Sequence, residues 1–320
     1  MTGLVALDSV REAATRLRGV ARRTPLRRSA ELSRIAGVDV HLKLENEQLT
    51  GSFKLRGAFN TLASLTDEER ARGIVASSAG NHGLGVAWAA RHFGIRATIF
   101  VPATAPAVKR EGIAALGARV DQSRADYDAA HAAALDFATR EGARFVNPCA
   151  GDALLAGQGT VALEILEDLP DVEAVIVPVG GGGLLGGIGS VLRASAPAVR
   201  ILGAQSERTD AMAKSLAAGR VVDIGHDPTL ADGLAGAIDE EGLAIGRAAL
   251  DAIVRVSEEE IGRAIAWLAD EESLTVEGSG AVGVAALRAG LFADLPSPVA
   301  IVVSGGNIDP AVLERLRVRQ

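Results

Sequence analysis

The chemistry of this chain begins at Lys54. It lies in Thr50-Gly51-Ser52-Phe53-Lys54, where the alternating stretch His41-Leu42-Lys43-Leu44-Glu45 has ended and an apolar-periodic helix starts at Phe53. A cation in the first turn of a helix opposes the helix dipole, so a lysine placed there suits a role in which its charge is lost. Only four of the 33 basic residues are lysines: Lys43, Lys54, Lys109 and Lys214. Candidates for an amine that condenses with a carbonyl are therefore few. Lys43 alternates within a strand beside Glu45 and reads as part of a solvated face. Lys109 and Lys214 fall in ordinary helices, and Arg56 could hold an interface.

Three glycine-rich turns follow apolar strands: Ser78-Ala79-Gly80-Asn81-His82, Gly180-Gly181-Gly182-Gly183 and Ser304-Gly305-Gly306-Asn307. The tetraglycine turn stands between a buried strand and a helix, where amide N–H groups can wrap a phosphate. Four successive glycines cost chain entropy that a bound ligand would justify. The run continues through Leu184 and Leu185, so Gly181, Gly183 and Gly186 also satisfy G-x-G-x-x-G. Glu207 follows the next strand, where a ribose-binding acid would sit. On this pattern alone a nicotinamide-dependent dehydrogenase or a non-catalytic nucleotide binder stays open.

The elements that must position these groups alternate strand and helix. Strands are expected at 73–77, 96–101, 119–121 and 144–146, then at 174–179, 199–205, 253–256 and 299–303. Helices are expected at 8–18, 53–60, 81–93, 106–116, 125–140, 160–168, 210–218, 258–269 and 279–289, with Asp8, Thr66 and Ser257 as caps. Strands apolar throughout and separated by helices argue for parallel sheets covered on both faces. The fold class is α/β, with two interleaved domains, each a mostly parallel twisted sheet flanked by helices. Residues 1–74 and 149–320 would form the large domain and 75–148 a smaller one inserted in it. In such folds ligands sit at the carboxyl ends of strands, which gathers Lys54 and the three glycine turns into one site.

Bulk properties narrow the partners. With 320 residues the chain has ample core, and a net charge of −7 without a basic run argues against nucleic acid and anionic membranes. No apolar run reaches the roughly 18 residues of a membrane span, and the first ten residues show no export pattern. The single cysteine, Cys149, allows no internal disulfide, fits a reducing cytoplasm and reads as a small buried apolar residue. Cytoplasmic localisation is expected. His41, His92, His131 and His226 lack metal spacing, and no metal is expected.

The combination of segments is more specific than any one of them. Thr50-Gly51-Ser52-Phe53-Lys54-Leu55-Arg56-Gly57-Ala58 resembles the lysine segment of the serine/threonine dehydratases, fold-type II pyridoxal-phosphate enzymes of tryptophan synthase β-like architecture. Ser78-Ala79-Gly80-Asn81-His82, Ala156-Gly157-Gln158-Gly159-Thr160, the tetraglycine turn and Ser304-Gly305-Gly306-Asn307-Ile308-Asp309 follow in that family's order. The resemblance implies that Lys54 forms the Schiff base with pyridoxal phosphate and, once released, removes the Cα proton. It implies that Gly180, Gly181, Gly182, Gly183 and Leu184 hold the phosphate, that Asn81 bonds the ring hydroxyl, that Phe53 and Gly233 sandwich the ring, and that Ser304 faces the pyridine nitrogen. Ser78, Ala79, Gly80, Asn81 and His82 would take the substrate carboxylate at their helix start. A serine at 304 stabilises a protonated ring less than a carboxylate would, which favours loss of a β-hydroxyl over transamination.

The reaction so implied is loss of water from L-threonine or L-serine, giving a 2-oxo acid and ammonia, in a homodimer or homotetramer. A different β-hydroxy amino acid such as 3-hydroxyaspartate is the alternative substrate, and serine racemisation the alternative reaction. Racemases of this family carry a serine where this chain has Ala79, and Gln205 and Ala211 stand at their cation-ligand positions; both departures argue against a racemase. The asparagine loop also lacks the Ser-Gly-Asn-Thr-Gly form of cysteine-synthase-like enzymes. The chain stops soon after Asn307, so feedback control by a C-terminal domain is not expected. Glu277 reads as a helix-capping carboxylate that could approach the cofactor, and Asp210 and Glu207 as a solvated helix start.

Overall fold

The computed structural model describes residues 3–105, 107–225 and 227–318. Pro106, expected to open a helix, and His226 lie outside them. The strands are β1 (Leu26–Arg28), β2 (Val40–Leu44), β3 (Ile74–Ser77), β4 (Ala97–Pro102), β5 (Arg119–Arg124), β6 (Arg144–Phe145), β7 (Ala174–Pro178), β8 (Arg200–Ser206), β9 (Ala252–Val256) and β10 (Val299–Val303). Six of them form a sheet in the order β1-β2-β10-β7-β8-β9, and four form a second in the order β5-β4-β3-β6. Every pairing is parallel except β1 with β2. β2, β7 and β10 are almost wholly buried, as strands covered by helices on both faces must be.

The order β2-β10-β7 decides where the site lies. Three parallel neighbours, far apart in sequence, release their chains at the same sheet edge: β2 towards Lys54, β7 towards Gly180 and β10 towards Ser304. β3 of the smaller sheet releases Ser78 to Asn81. The core of that smaller sheet takes in Leu17, Ala58, Phe59 and Leu62 as well as residues beyond 74. The Lys54 helix (Lys54–Ala63) is therefore packed against both sheets' surroundings.

The helix expected from Thr160 begins two turns earlier, at Asp152, and runs to Asp168. Its glycines look like breakers in sequence but serve close helix crossings. A Cβ on Gly157 would lie 2.5 Å from the Arg56 carbonyl, and one on Gly159 would lie 2.8 Å from the Gly187 carbonyl. A helix at Glu240–Ala249, capped by Asp239, adds to those expected. Thr66 and Ser257 form full capping boxes, whereas Asp8 falls inside its helix (Leu7–Leu17) and pairs with Arg11.

Lys43 does not face solvent, contrary to the reading of its strand. It is fully buried, donating to Glu164 (2.5 Å) and to the Thr24 carbonyl (2.7 Å). The strand is covered on both faces, so alternation carries no exposure there. Arg56, two residues after Lys54, grips Glu45 through Nε and Nη2 at 2.9 and 2.8 Å and Glu164 through Nη1 and Nη2 at 2.6 and 2.9 Å. Burial lowers the Arg56 pKa, but Glu45 and Glu164 outweigh it and hold the guanidinium above its ordinary value. Lys43, Glu45, Arg56 and Glu164 balance two charges of each sign. Removing one partner strands another in the interior. Arg56→Met is expected to lower the unfolding free energy by about 3 kcal/mol or more in urea titrations; a loss under about 1 kcal/mol would deny the quartet this role.

Candidate active site

The turn before Lys54 is stitched to the loop after β10. Ser52 and Gly305 form an antiparallel bridge, Phe53 N–H donates to the Ser304 carbonyl (3.2 Å), and Gly306 N–H donates to the Gly51 carbonyl (2.9 Å). Asn307 Nδ2 adds a bond to the Thr50 carbonyl at 2.9 Å and one to Asn81 Oδ1 at 2.7 Å. The Lys54 turn, the asparagine loop and the C-terminal loop thus share one set of bonds. Lys54 Nζ donates to the Pro148 carbonyl at 2.7 Å and lies 5.3 Å from the Phe53 ring centroid.

The residue after Pro148 joins the tetraglycine turn. A Cβ on Gly181 would meet Cys149 Sγ at 2.8 Å, one on Gly183 the Cys149 Cα at 3.0 Å, and one on Gly180 the Leu234 backbone at 3.1 Å. The chain's own contacts therefore crowd three of these four glycines, and the fourth, Gly182, has a φ of 104° that favours glycine. Cys149 is half-buried against this turn rather than sunk in a core. Leu184 stands in the first turn of the helix Gly183–Ser195, whose first backward bond is Gly186 N–H to the Gly182 carbonyl (2.7 Å). The preceding amides of that helix start have no partner within the helix, an arrangement suited to an anion.

Gly233, Ser279 and Ser304 close the site's other side. A Cβ on Gly233 would lie 2.8 Å from Ser279 Oγ, and Ser304 Oγ points to the Ser279 carbonyl at 3.4 Å. Gly233 sits in the short turn Asp232–Leu234, whose Asp232 pairs with Lys109 of the helix Ala107–Ala115 at 3.0 Å. Across the site, the helix Asn81–Phe93 begins beside Ser78, whose Oγ accepts from Gly80 N–H (3.2 Å). A Cβ on Gly80 would meet nothing within 4 Å, so space is open at that turn.

Comparisons with known proteins settle the family. The family model "Pyridoxal-phosphate dependent enzyme" matches residues 17–305. The chain belongs to the pyridoxal-phosphate-dependent enzyme family. It is 45% identical to an L-threonine ammonia-lyase of Thermotoga maritima, over 98% of this chain and 78% of that protein. It is 40% identical to the catabolic L-threonine dehydratase of Staphylococcus aureus, over 96% of this chain and 90% of the relative. Among solved structures it resembles maize serine racemase, with a TM-score of 0.93, 34% identity, and 98% of this chain and 97% of that chain covered.

This membership removes the dinucleotide reading. Gly186 of the G-x-G-x-x-G pattern packs against Leu155 and Ile245, and Glu207 is exposed. The site itself fits pyridoxal phosphate. Thr50 Oγ1, Ser52 Oγ and Ser279 Oγ are buried without a hydrogen-bond partner among the described residues. Unpartnered buried hydroxyls around an amine, beside a helix start lacking partners, await a polar, anionic group.

Two site residues behave differently from expectation. His82 is expected among the carboxylate-binding groups, but its Nε2 lies 2.9 Å from the Val146 carbonyl and must donate to it. Its Nδ1 is then a bare acceptor, so the ring can offer a carboxylate no N–H; only its backbone amide can. Burial first, then the Lys54 charge, push its pKa down to about 3, so the ring stays neutral. Glu277 precedes the helix Gly278–Arg288 without capping it and accepts from Asn81 Nδ2 at 2.5 Å. Burial first, then Asp232, push its carboxyl up to about 7, against the Asn81 bond. Sequence reasoning misses Asn307, Ser279 and Pro148 in these roles; Asn307 alone carries a signal, as part of the loop after β10.

A carboxyl whose pKa is raised in the fold stabilises the protein at low pH and loses that contribution as pH rises through the folded pKa. The apoprotein should therefore lose stability relative to Glu277→Gln between about pH 5 and about pH 8. Thermal midpoints of the two proteins across that window check this. A gap that stays constant would place the Glu277 pKa elsewhere.

Proposed function

We propose that the chain is a pyridoxal-phosphate-dependent ammonia-lyase that removes water from L-threonine and L-serine. What supports this reading is that the Lys54 turn bonds to the Ser304–Asn307 loop, which bonds to Asn81, while Lys54 Nζ meets the Pro148 carbonyl next to the residue packed on the tetraglycine turn, in a chain whose relatives are named threonine ammonia-lyases and dehydratases. The other lysines are committed elsewhere: Lys43 in the buried quartet, Lys109 to Asp232 and Lys214 to Asp210.

Pyridoxal phosphate, when bound, supplies an electron sink that lets the Cα–H bond of an amino acid break heterolytically. Gly183, Leu184 and the turn before them hold its phosphate through backbone N–H groups, with Gly180, Gly181 and Gly182 shaping the loop. Phe53 and Gly233 leave room for a flat ring, and Ser304 offers a neutral hydroxyl to its nitrogen. The helix start at Ser78, Ala79, Gly80, Asn81 and His82 orients the substrate carboxylate through backbone amides and the Ser78 hydroxyl. Lys54 Nζ takes the Cα proton. The proton taken by Lys54 goes to the leaving β-hydroxyl, which departs as water, and the resulting enamine takes up water at Cα to give the 2-oxo acid and ammonia. Ala79 has no proton to return from the opposite side, which favours elimination over racemisation.

Residues 75–148 form a smaller domain inserted in the larger one, and the protein works in the cytoplasm as a homodimer or homotetramer. Among the described residues no helix is long and apolar enough to cross a membrane. Protein reconstituted with pyridoxal phosphate should absorb in the visible and release 2-oxo acid from L-threonine. Lys54→Ala should remove the visible band and lower turnover by more than about a hundredfold. A colourless protein that binds a nicotinamide dinucleotide instead would overturn the reading. Turnover of 3-hydroxyaspartate alone would move the substrate while leaving the chemistry.

A further inference from the structure

Asn81 begins the helix Asn81–Phe93, and the bonds around its carboxamide determine which hydrogen is left free. The Thr50 carbonyl can only accept, so the Asn307 atom 2.9 Å from it is a nitrogen, Nδ2. That same nitrogen lies 2.7 Å from Asn81, so the Asn81 atom facing it is the oxygen Oδ1. Asn81 Nδ2 is thereby turned to Glu277 Oε1, which can only answer by accepting. The Glu277 carboxyl that receives this bond is buried. The chain keeps room for it: a Cβ on Gly305 would overlap Glu277 Oε1. The charged groups acting on Glu277 from the facing elements are Asp232 and Lys109, themselves paired.

With Oδ1 engaged by Asn307, the hydrogen left on Asn81 is the second one on Nδ2. We propose that Glu277 is a positioning residue that acts through Asn81, making the free edge of that amide a hydrogen-bond donor matched to an ionised oxygen of bound pyridoxal phosphate. This rests on the functional reading above. The Glu277 side chain makes no cap bond to its helix, and a purely structural role would be indifferent to the presence of Asn81.

The test is a double-mutant cycle over Glu277→Gln and Asn81→Ala, reading the dissociation constant of pyridoxal phosphate from the apoprotein, kcat with L-threonine and the thermal midpoint. Glutamine offers Asn81 Nδ2 at most one neutral oxygen and can turn an amide nitrogen to it instead, so Glu277→Gln alone should weaken cofactor binding and kcat by about tenfold each. On the Asn81→Ala background the same change should cost nothing further in either quantity. An undiminished penalty on that background, or no penalty in the parent, would overturn the inference. If Glu277→Gln does not fold, Glu277→Asp, which keeps two acceptor oxygens but shortens their reach, carries the same cycle with the same expected and overturning results. Parent protein that binds no pyridoxal phosphate overturns the functional reading and this inference together. Parent protein that binds it and turns over, with additive penalties, overturns the inference alone.

Discussion

A lysine can act on a substrate only if its own turn is held still, and here that turn is held from two sides. On one side, the segment Gly51–Phe53 is bonded along its backbone to Ser304–Gly306, which emerge from β10. On the other, Arg56 anchors the first turn of the Lys54 helix to Glu45 and Glu164 in the interior. The first set is backbone to backbone and resists side-chain substitution. The second is ionic and buried, so it holds only while all its members are present. Because β2 and β10 are adjacent and parallel, the lysine turn and the C-terminal loop leave the sheet side by side. The strand order thus creates the contact, and the ion pairs fix its orientation.

Glycine serves this arrangement in two separate ways. At Gly57, Gly157, Gly159 and Gly187, any Cβ would collide with a neighbouring helix, so these residues let three helices approach closely beneath the site. The Asp152–Asp168 helix then lies flush against the Lys54 helix and carries Glu164 to Arg56. At Gly80, by contrast, nothing in the protein occupies the space a side chain would fill. The first group is explained by packing, while the second leaves open space beside the start of its helix. A sequence shows both kinds as the same letter.

That distinction marks how far the sequence can be read. The alternation of apolar strands with helices, the Lys54 turn and the three glycine loops are legible because they follow local periods and breaks: Asn81–Phe93 and β10 fall where the pattern puts them. The extra turns from Asp152 are hidden because Gly157 and Gly159 look like breakers until the neighbouring helices are known. Lys43 misleads because alternation indicates exposure only in a sheet with one wet face, and both faces of this one are covered. His82 belongs to the expected loop, but which of its atoms faces the site depends on the Val146 carbonyl, contributed by the end of the smaller sheet. Glu277 meets Asn81 only through folding, since no local rule links residues so far apart in the chain.

The site's polarity also has a thermodynamic consequence for the protein without its cofactor. Among the described residues, three buried hydroxyls of the site and the His82 Nδ1 have no hydrogen-bond partner, and the first amides of two helices have no partner within their helix. Each such group costs on the order of 1 kcal/mol when water is excluded and nothing replaces it. The rest of the fold meets that cost with three apolar cores in which strand after strand is fully buried. A group that satisfies these atoms binds the folded chain and not the unfolded one, so occupancy raises stability by mass action. The unsatisfied atoms are therefore the feature that couples cofactor binding to folding. Asn307 joins two of the segments that carry them, bonding the Thr50 carbonyl and Asn81 Oδ1.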